Sequence, residues 1–83
     1  MNLFLTNTFK KRFQNLPQNA QKRVKESLLL IHKKPFSGKK LMGDLEGEFS
    51  YRVGQYRIIY FIDENDNIWI ETVRHRKNAY RRK

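Results

Sequence analysis

The stretch from Phe49 to Tyr60 constrains the fold most strongly, because it holds two strand-like runs separated by a tight turn. Apolar and polar residues alternate before Gly54, and β-branched and aromatic residues crowd the run after it, which is typical of a β-hairpin. A two-residue Gly54-Gln55 loop suits a type II′ turn, since glycine accepts the positive φ of its first central position. The sequence therefore predicts two antiparallel strands joined at this glycine.

The predicted register places Arg52 directly opposite Arg57. Opposed residues on paired strands have Cβ atoms about 4.5–5.5 Å apart, and like charges at that separation destabilise the pair. At a surface-like dielectric the two guanidinium groups repel by about 1–3 kcal/mol unless an anion lies between them. The pair is thus a candidate oxyanion or phosphate site. The alternative is that the side chains splay apart, or that Glu71 or another acid neutralises one of them.

Side-chain parity divides this hairpin into two faces. One face is apolar enough to pack against helices, and its members are Phe49, Tyr51, Val53, Ile58, Tyr60 and Ile62. The opposite face carries both arginines on the open side of the sheet, and its members are Ser50, Arg52, Arg57, Ile59 and Phe61. A slip of one residue in the pairing would exchange the two faces.

The residues before the hairpin indicate a short strand followed by two helices. The segment 2–6 is apolar enough for a strand, and Asn7 or Thr8 can cap a helix that stops near Asn15. Pro17 suits the first turn of a second helix, which ends before Pro35 because the residue preceding proline avoids the α region. The expected buried positions of the two helices recur at helical spacing. They are Phe9, Phe13, Leu16, Ala20, Val24, Leu28 and Ile31.

The remaining segments complete an α+β fold. Residues 36–40 read as a basic loop, and Leu41, Met42 and Leu45 form a weak strand or turn. Residues 63–67 are a polar turn rather than a calcium loop, since Ile68 stands where the loop needs glycine. Residues 68–73 form a last strand before a basic tail. We therefore predict an N-terminal strand and a helical hairpin packed on a small antiparallel sheet, in one domain spanning residues 1–83.

The composition favours a polyanionic partner and excludes several classes of site. The 83 residues carry a net charge of +10 and a pI near 10.2. Nucleic acid is therefore a stronger candidate for the partner than a membrane surface. No apolar run reaches membrane-spanning length and no secretory signal is evident, so we expect a cytoplasmic location. The absence of cysteine excludes disulfides and thiolate zinc ligands. No histidine or carboxylate cluster has ligand spacing, so no metal is predicted.

The basic tail contains two further candidates for chemistry. His75 lies between Arg74 and Arg76, and these cations favour a neutral imidazole that could serve as a general base or, once protonated, as an acid. The alternative is an exposed histidine in a basic tail. Tyr80 follows Arg76 by four residues, one turn if the tail is helical, so it could stack on a base or donate a proton. Equally, it could only pack the tail onto the sheet.

The combined pattern resembles the RelE/ParE superfamily of toxins from bacterial and archaeal type II toxin–antitoxin systems. The resemblance spans nearly the whole chain and is carried by the order helix–LP–helix, YRVGQYRIIYFID and VRHRKNAYR. It implies a helical hairpin on an antiparallel sheet similar to the microbial ribonuclease fold. It also implies no cofactor, no metal and a cognate antitoxin that covers the positive surface.

RelE-like members cleave mRNA in the ribosomal A site, with the 2′-hydroxyl as internal nucleophile. The resemblance implies catalytic roles as phosphate ligands, acid–base groups or a stacking platform for Arg52, Arg57, His75, Arg76 and Tyr80. The other basic residues expected to bind RNA are Lys39, Lys40, Arg74 and Arg81. Two positions depart from the family pattern: Arg74 replaces a common glycine, and Arg52 stands in a strand where the founding enzyme has lysines.

Two other functions remain open at the level of the sequence. ParE-like members share much of this framework, yet they inhibit DNA gyrase and cleave no RNA. His75, Arg76 and Tyr80 together favour the ribosome-dependent, metal-independent nuclease. A non-catalytic basic module that only binds nucleic acid is the other alternative.

Overall fold

The computed structural model describes residues 1–40 and 47–79. The elements in chain order are β1 Leu3–Leu5, α1 Asn7–Gln14, α2 Gln18–Lys33, β2 Lys39–Lys40, β3 Glu48–Val53, β4 Tyr56–Ile62, β5 Ile68–His75 and α3 Arg76–Ala79. The strands form one five-stranded sheet in the order β1-β5-β4-β3-β2. The α+β prediction is confirmed.

The sheet is mixed rather than wholly antiparallel. Strands β2 to β5 pair with antiparallel neighbours, whereas β1 runs parallel to β5, with Phe4 opposite Trp69. Strands joined by short turns must run antiparallel, but both helices and three other strands separate β1 from β5 along the chain. The N-terminal strand is therefore free to enter the sheet edge in the parallel direction.

The helical hairpin follows the predicted boundaries except at its first cap. Thr6, rather than Asn7 or Thr8, caps α1: its Oγ1 accepts a hydrogen bond from the Phe9 backbone N at 3.1 Å and donates to the Glu71 carbonyl oxygen at 2.7 Å. One hydroxyl thus caps the helix and ties it to β5. Pro17 occupies the N-cap position of α2, as its fixed φ favours. No helix in the described part of the chain is long and apolar enough to cross a membrane.

The core lies between the helices and the face of the sheet predicted to receive them. Its buried apolar residues are Phe9, Ala20, Val24, Ile31, Phe49, Val53, Ile58, Tyr60, Ile68, Ile70 and Val73. Full burial of such a side chain stabilises the fold by about 1.5–3 kcal/mol relative to leaving it exposed. The apolar face of the sheet is therefore held against the helices, and the opposite face remains uncovered by them. The predicted division of the hairpin into two faces is confirmed.

The central hairpin has the predicted register and turn. Val53 pairs with Tyr56 and Arg52 with Arg57. Gly54 has φ +58°, and Asp66 is the only non-glycine residue with positive φ in the described ranges. A positive φ at the first central position of the turn, but not at the second, defines a type II′ turn. The glycine is required because this conformation is unfavourable for most L-residues.

Three segments differ from their predicted form or lie outside the described residues. Lys39 and Lys40, predicted in a loop, form the two-residue edge strand β2 on β3. This pairing gives hydrogen-bond partners to backbone N–H and C=O groups at the edge of β3, which a loop would leave without partners in the sheet. Strand β5 continues to His75 instead of ending at residue 73. The predicted weak strand or turn at 41–45 lies outside the described residues.

The polar turn between β4 and β5 is organised by Asp63. Its carboxylate accepts hydrogen bonds from the backbone N of Asn67 at 2.9 Å and of Asn65 at 2.8 Å, and from Trp69 Nε1 at 2.9 Å. These bonds, the Asn67 bond first, lower the pKa of Asp63 because they favour the ionised form. The polar turn that the sequence predicted at residues 63–67 is therefore present, and the Asp63 carboxylate closes it.

Candidate anion-binding site

Three arginines form one row on the face of the sheet opposite the helices. Arg52 of β3 pairs with Arg57 of β4, and Arg57 pairs with Arg74 of β5. Adjacent strands lie about 4.8 Å apart, so the three Cα atoms span about 10 Å. We call these residues the arginine row. Three like charges held this closely create a strongly positive strip suited to an anion.

Arg57 is the most firmly held member of the arginine row. Its Nη1 donates a hydrogen bond to Ser50 Oγ at 3.2 Å. Ser50 is buried and Arg57 is half-buried, whereas Arg52 is exposed. The Arg57 side chain therefore leans along the sheet towards Ser50. A guanidinium already held in place loses less conformational entropy when it binds a ligand.

An open pocket of about 350 Å³ lies against the arginine row. It is lined by Ser37, Gly38, Lys39, Ser50, Tyr51, Arg52 and Arg57. Lys39 reaches this face because it pairs with Ser50 in the sheet. The structure thus brings together three of the predicted ligands of RNA, one lysine and two arginines, around a concave surface. Guanidinium and ammonium groups converging on one pocket are suited to phosphate oxygens.

Tyr60 fixes the wall of this pocket from inside the core. Its hydroxyl donates to the Pro35 carbonyl oxygen at 2.7 Å and accepts from the Gly38 backbone N at 3.1 Å. Burial raises the pKa of this phenol, so it stays protonated and able to donate. A Cβ on Gly38 would lie 2.6 Å from the Tyr60 hydroxyl oxygen, so this position has room only for glycine unless a neighbour shifts.

Two carboxyl groups meet near the same face. The Glu48 side chain is hydrogen bonded to Glu71, and its pKa is raised to about 7, first by burial and then by the bond to Glu71 and its charge. The sequence allowed Glu71 to neutralise one of the arginines, but its partner here is the carboxyl group of Glu48. A β-bulge allows this contact: Ile59 pairs with Thr72 and Tyr60 with Ile70, leaving Glu71 as the extra residue of β5.

His75 lies apart from the arginine row. It pairs with Tyr56, and the two rings make an edge-on contact with centroids 5.4 Å apart. Tyr56 packs against the core, so this pair belongs to the side of the sheet that faces the helices. The Lys77 backbone N donates to His75 Nδ1 at 3.2 Å, which assigns the proton of a neutral ring to Nε2. The ring therefore supports the start of α3.

The remaining predicted site residues occupy different places. The Arg76 backbone N donates to the Gln55 carbonyl oxygen at 2.6 Å, so α3 begins against the hairpin turn with the Arg76 side chain exposed. Lys40 pairs with Phe49 and so lies on the alternate face from Lys39. Tyr80 and Arg81 lie outside the described residues. In the described ranges no group of three or more His, Cys, Asp or Glu side chains is placed to hold a metal ion.

Comparison with known proteins identifies the family. The profile of the ParE toxin of the type II toxin–antitoxin system parDE matches residues 3–80. The chain belongs to this toxin family. It is therefore the toxin of a toxin–antitoxin pair within the RelE/ParE superfamily. A comparison with curated proteins gives no significant match.

Solved structures of similar toxins share the whole fold of this toxin. The RelBE2 toxin–antitoxin complex from Mycobacterium tuberculosis is 31% identical with a TM-score of 0.82, over 89% of this chain and 95% of that chain. The RelB–RelE antitoxin–toxin complex from Methanococcus jannaschii is 25% identical with a TM-score of 0.73, over 93% of this chain and 94% of that one. The isolated Escherichia coli RelE toxin, at 14% identity, shares the fold with a TM-score of 0.76, over 99% of this chain and 87% of that chain. Because two of these toxins were solved with antitoxins, the likeness supports a cognate antitoxin for this toxin.

Sequence reasoning missed three features of the toxin's site. Arg74 was expected to bind RNA from the tail, but it belongs to a strand and completes the arginine row. Without the bulge at Glu71, the pairing of Ile62 with Ile68 would place Val73 opposite Arg57. The Glu48–Glu71 contact depends on the same bulge, and no sequence signal in this chain marks it. The close approach of Gly38 to Tyr60 likewise arises only in three dimensions.

Proposed function

We propose that this toxin is a ribosome-dependent, metal-independent endoribonuclease that cleaves mRNA in the ribosomal A site. The observation that carries this proposal is the arginine row beside an open pocket. Such a row on a rigid sheet is suited to the oxygens of a phosphodiester. A net charge of +10 also favours association with RNA. The proposed location is the cytoplasm, where the ribosome and a cognate antitoxin would meet the toxin.

In the proposed reaction the 2′-oxygen attacks the adjacent phosphorus. The bond from phosphorus to the 2′-oxygen forms, the bond to the 5′-oxygen breaks, and a 2′,3′-cyclic phosphate remains. Negative charge accumulates on the non-bridging oxygens as the fifth bond forms. The half-buried Arg57, held by Ser50, is the group we assign to this charge, because donors fixed before the reaction need no reorganisation. Arg52 and Lys39 would hold the neighbouring phosphates.

The C-terminal residues have separate proposed roles. Arg76 begins α3 next to the hairpin turn, so its exposed side chain is available to a phosphate beyond the pocket. Following the superfamily resemblance, we propose that Tyr80 stacks on or protonates the reacting nucleotide and that Arg81 binds the backbone. His75 contacts Tyr56 rather than the arginine row, so we propose that it positions α3 instead of transferring a proton.

The test is cleavage of a defined mRNA in a purified translation system. We expect codon-positioned cuts that persist in EDTA and that fall about 10²–10³-fold with Arg57→Ala, the usual effect of removing one fixed donor of charge stabilisation. Arg12→Ala, which removes the same charge from the exposed end of α1, serves as the matched control and should cleave normally. Intact mRNA with the folded wild-type toxin would refute the proposal.

A second candidate follows from the family match itself. The matching profile describes the ParE toxin, and ParE-like members of the superfamily inhibit DNA gyrase. This function would predict loss of supercoiling in a gyrase assay and no cleavage of ribosome-bound mRNA. Running both assays with one preparation of toxin separates the two functions. The pocket favours the nuclease because Arg52, Arg57 and Lys39 line it together and offer several phosphate ligands.

A further inference from the structure

Three aromatic side chains form a second row on the face of the sheet that carries the arginine row. The register places Phe4 of β1 opposite Trp69 of β5, and Trp69 opposite Phe61 of β4. The ring centroids of Phe4 and Trp69 are 4.8 Å apart. Those of Trp69 and Phe61 are 6.4 Å apart, with the ring planes only 12° from parallel. We call these three residues the aromatic row.

The neighbours of the aromatic row along each strand show which face it occupies. The residues on either side of Phe4 and of Trp69 pack into the core, and they are Leu3, Leu5, Ile68 and Ile70. Successive side chains of a strand point to opposite faces, so Phe4 and Trp69 point away from the helices. The uncovered face of an antiparallel sheet commonly carries polar residues. Adjoining aromatic rings on this face therefore suit a ligand with an apolar surface.

Phe4 is the outermost ring of the aromatic row. Its strand β1 is the edge of the sheet, and 39% of the Phe4 surface is exposed. The neighbouring Trp69 is held by its Nε1, which donates a hydrogen bond to the Asp63 carboxylate at 2.9 Å. A flat ring placed against Phe4 would extend a row that is already in place. Little side-chain freedom would be lost on binding such a ring.

The aromatic row and the arginine row are about 13 Å apart along β4, the rise over the four residues from Arg57 to Phe61. The side chains between the rows, in register across three strands, are Ser50, Ile59 and Thr72. Ser50 and Thr72 are small and buried, and the Thr72 Oγ1 has no hydrogen-bond partner in the described part of the chain. The Arg57 guanidinium leans over this floor to Ser50, in the direction of the aromatic row.

We propose that the aromatic row binds an unpaired nucleobase of the mRNA, stacked on Phe4, while the arginine row holds phosphates of the same strand. This inference rests on the proposed function for its ligand, and it adds a site for a nucleotide that flanks the cleaved bond. Proteins recognise single-stranded RNA by stacking its bases on aromatic side chains and holding its backbone with cations. A strand stacked at about 3.4 Å per nucleotide crosses about 13 Å in about four nucleotides, and a more extended strand needs fewer.

The charges around the aromatic row favour a base over a phosphate or an acidic peptide. The three rings are uncharged, Glu48 is opposite Phe61, and the Asp63 carboxylate is bonded to Trp69. Carboxyl groups at both places disfavour a further anion. A base is neutral and offers a flat surface for stacking. The positive charge that attracts the RNA backbone lies on the same face, in the arginine row.

The experiment follows the fluorescence of Trp69, which is the only tryptophan among the 83 residues and so reports on the aromatic row. The toxin is titrated with a short single-stranded RNA whose 2′-O-methyl groups prevent cleavage, and with an RNA of equal length that lacks bases. We expect the base-containing RNA to change the Trp69 signal and to bind about 5–150-fold more tightly than the abasic RNA, the range for one stacked base. An unchanged Trp69 signal in toxin saturated with base-containing RNA would overturn the proposal.

Substitutions of Phe4 separate stacking from folding and from other partners. Phe4→Leu keeps an apolar side chain but removes the ring, so its affinity for base-containing RNA should fall about 5–150-fold while its affinity for abasic RNA stays unchanged. Phe4→Tyr retains the ring and should bind both RNAs like the wild type. Phe36→Leu, exposed and in contact with Phe49 of the core, is the matched control. Wild-type affinities in Phe4→Leu would overturn the proposal and favour a protein partner on the aromatic row, and equal losses for both RNAs would also overturn it.

This titration needs no cleavage, so it is independent of the nuclease assay. A toxin that binds RNA in a base-dependent way but cleaves no ribosome-bound mRNA retains the base site and loses only the proposed nuclease function. A toxin that cleaves mRNA but binds both RNAs equally loses only the assignment of the aromatic row. The two failures are therefore distinguishable.

Discussion

At the scale of single residues, the behaviour of the arginine row depends on how Arg57 is held. Ser50 is buried and accepts a hydrogen bond from one arm of the guanidinium, which fixes the plane of the fork. Arg52 carries the same charge but is exposed. A planar fork offers two parallel hydrogen bonds to a phosphate, whereas an ammonium acts as a point charge. Position and shape, as well as charge, should therefore matter at Arg57.

Arg57→Lys tests the importance of that shape. The variant keeps the charge but loses the fork, so we expect mRNA affinity to change by less than threefold while the cleavage rate falls by about 10–100-fold. Single-turnover rates and RNA binding measure the two effects separately. Arg12→Lys on α1 is the control. Full activity in Arg57→Lys would show that charge alone suffices.

Thr72→Val tests the buried hydroxyl. Valine has nearly the same shape and removes an oxygen that has no hydrogen-bond partner among the described residues, so we expect the free energy of unfolding to rise by about 1 kcal/mol. Urea denaturation measures this change. The exposed Thr8→Val should shift the free energy by less than about 0.5 kcal/mol. A loss of stability in Thr72→Val would mean that the hydroxyl makes a favourable contact.

At the scale of elements, local signals determined what the sequence could predict. The turn at Gly54 and the alternation around it fix the hairpin and its register because they act over a few residues. Local signals also fix the start of α2 after Pro17 and its end before Pro35. The parallel pairing of β1, the edge strand β2 and the bulge at Glu71 depend on residues distant in the chain. Two arginines of the row were therefore predictable as a pair, and the third was not.

Tyr60→Phe tests how an element of the core shapes the pocket. The variant removes two hydrogen bonds that hold residues 35–38, so we expect a loss of about 1–3 kcal/mol in the free energy of unfolding. We also expect weaker RNA binding, because Lys39 follows the loosened segment. Thermal or urea unfolding and RNA titration measure both effects. Tyr56→Phe on the same strand is the comparison, and equal losses in both variants would contradict this role.

At the scale of the whole molecule, the excess of positive charge and the carboxyl pair set the response to solution conditions. A net charge of +10 should make RNA binding strongly dependent on salt, because bound cations released from RNA drive association. Arg52→Ala and Arg74→Ala should each reduce the slope of log affinity against log salt by about 1. Slopes unchanged in both variants would show that the arginine row does not contact phosphate.

The raised pKa of Glu48 predicts a global effect of pH on stability. The pKa lies at about 7 in the fold and 4.5 without it, so folding favours the protonated form. The resulting stabilisation is complete below about pH 4.5 and is lost as pH rises through 7. Relative to Glu48→Gln, the wild-type toxin should lose about 1 kcal/mol over this range, after allowance for solvent screening of a half-exposed group. A difference that is constant with pH would contradict the raised pKa.

One measurement tests most directly whether the arginine row binds a phosphate of the mRNA. Single-turnover cleavage of ribosome-bound mRNA is compared for the wild-type toxin, Arg57→Ala and the exposed control Arg12→Ala, each first shown to be folded. We expect EDTA-resistant cleavage whose rate falls about 10²–10³-fold only in Arg57→Ala. Equal cleavage by all three proteins, or no cleavage by any of them, would contradict it.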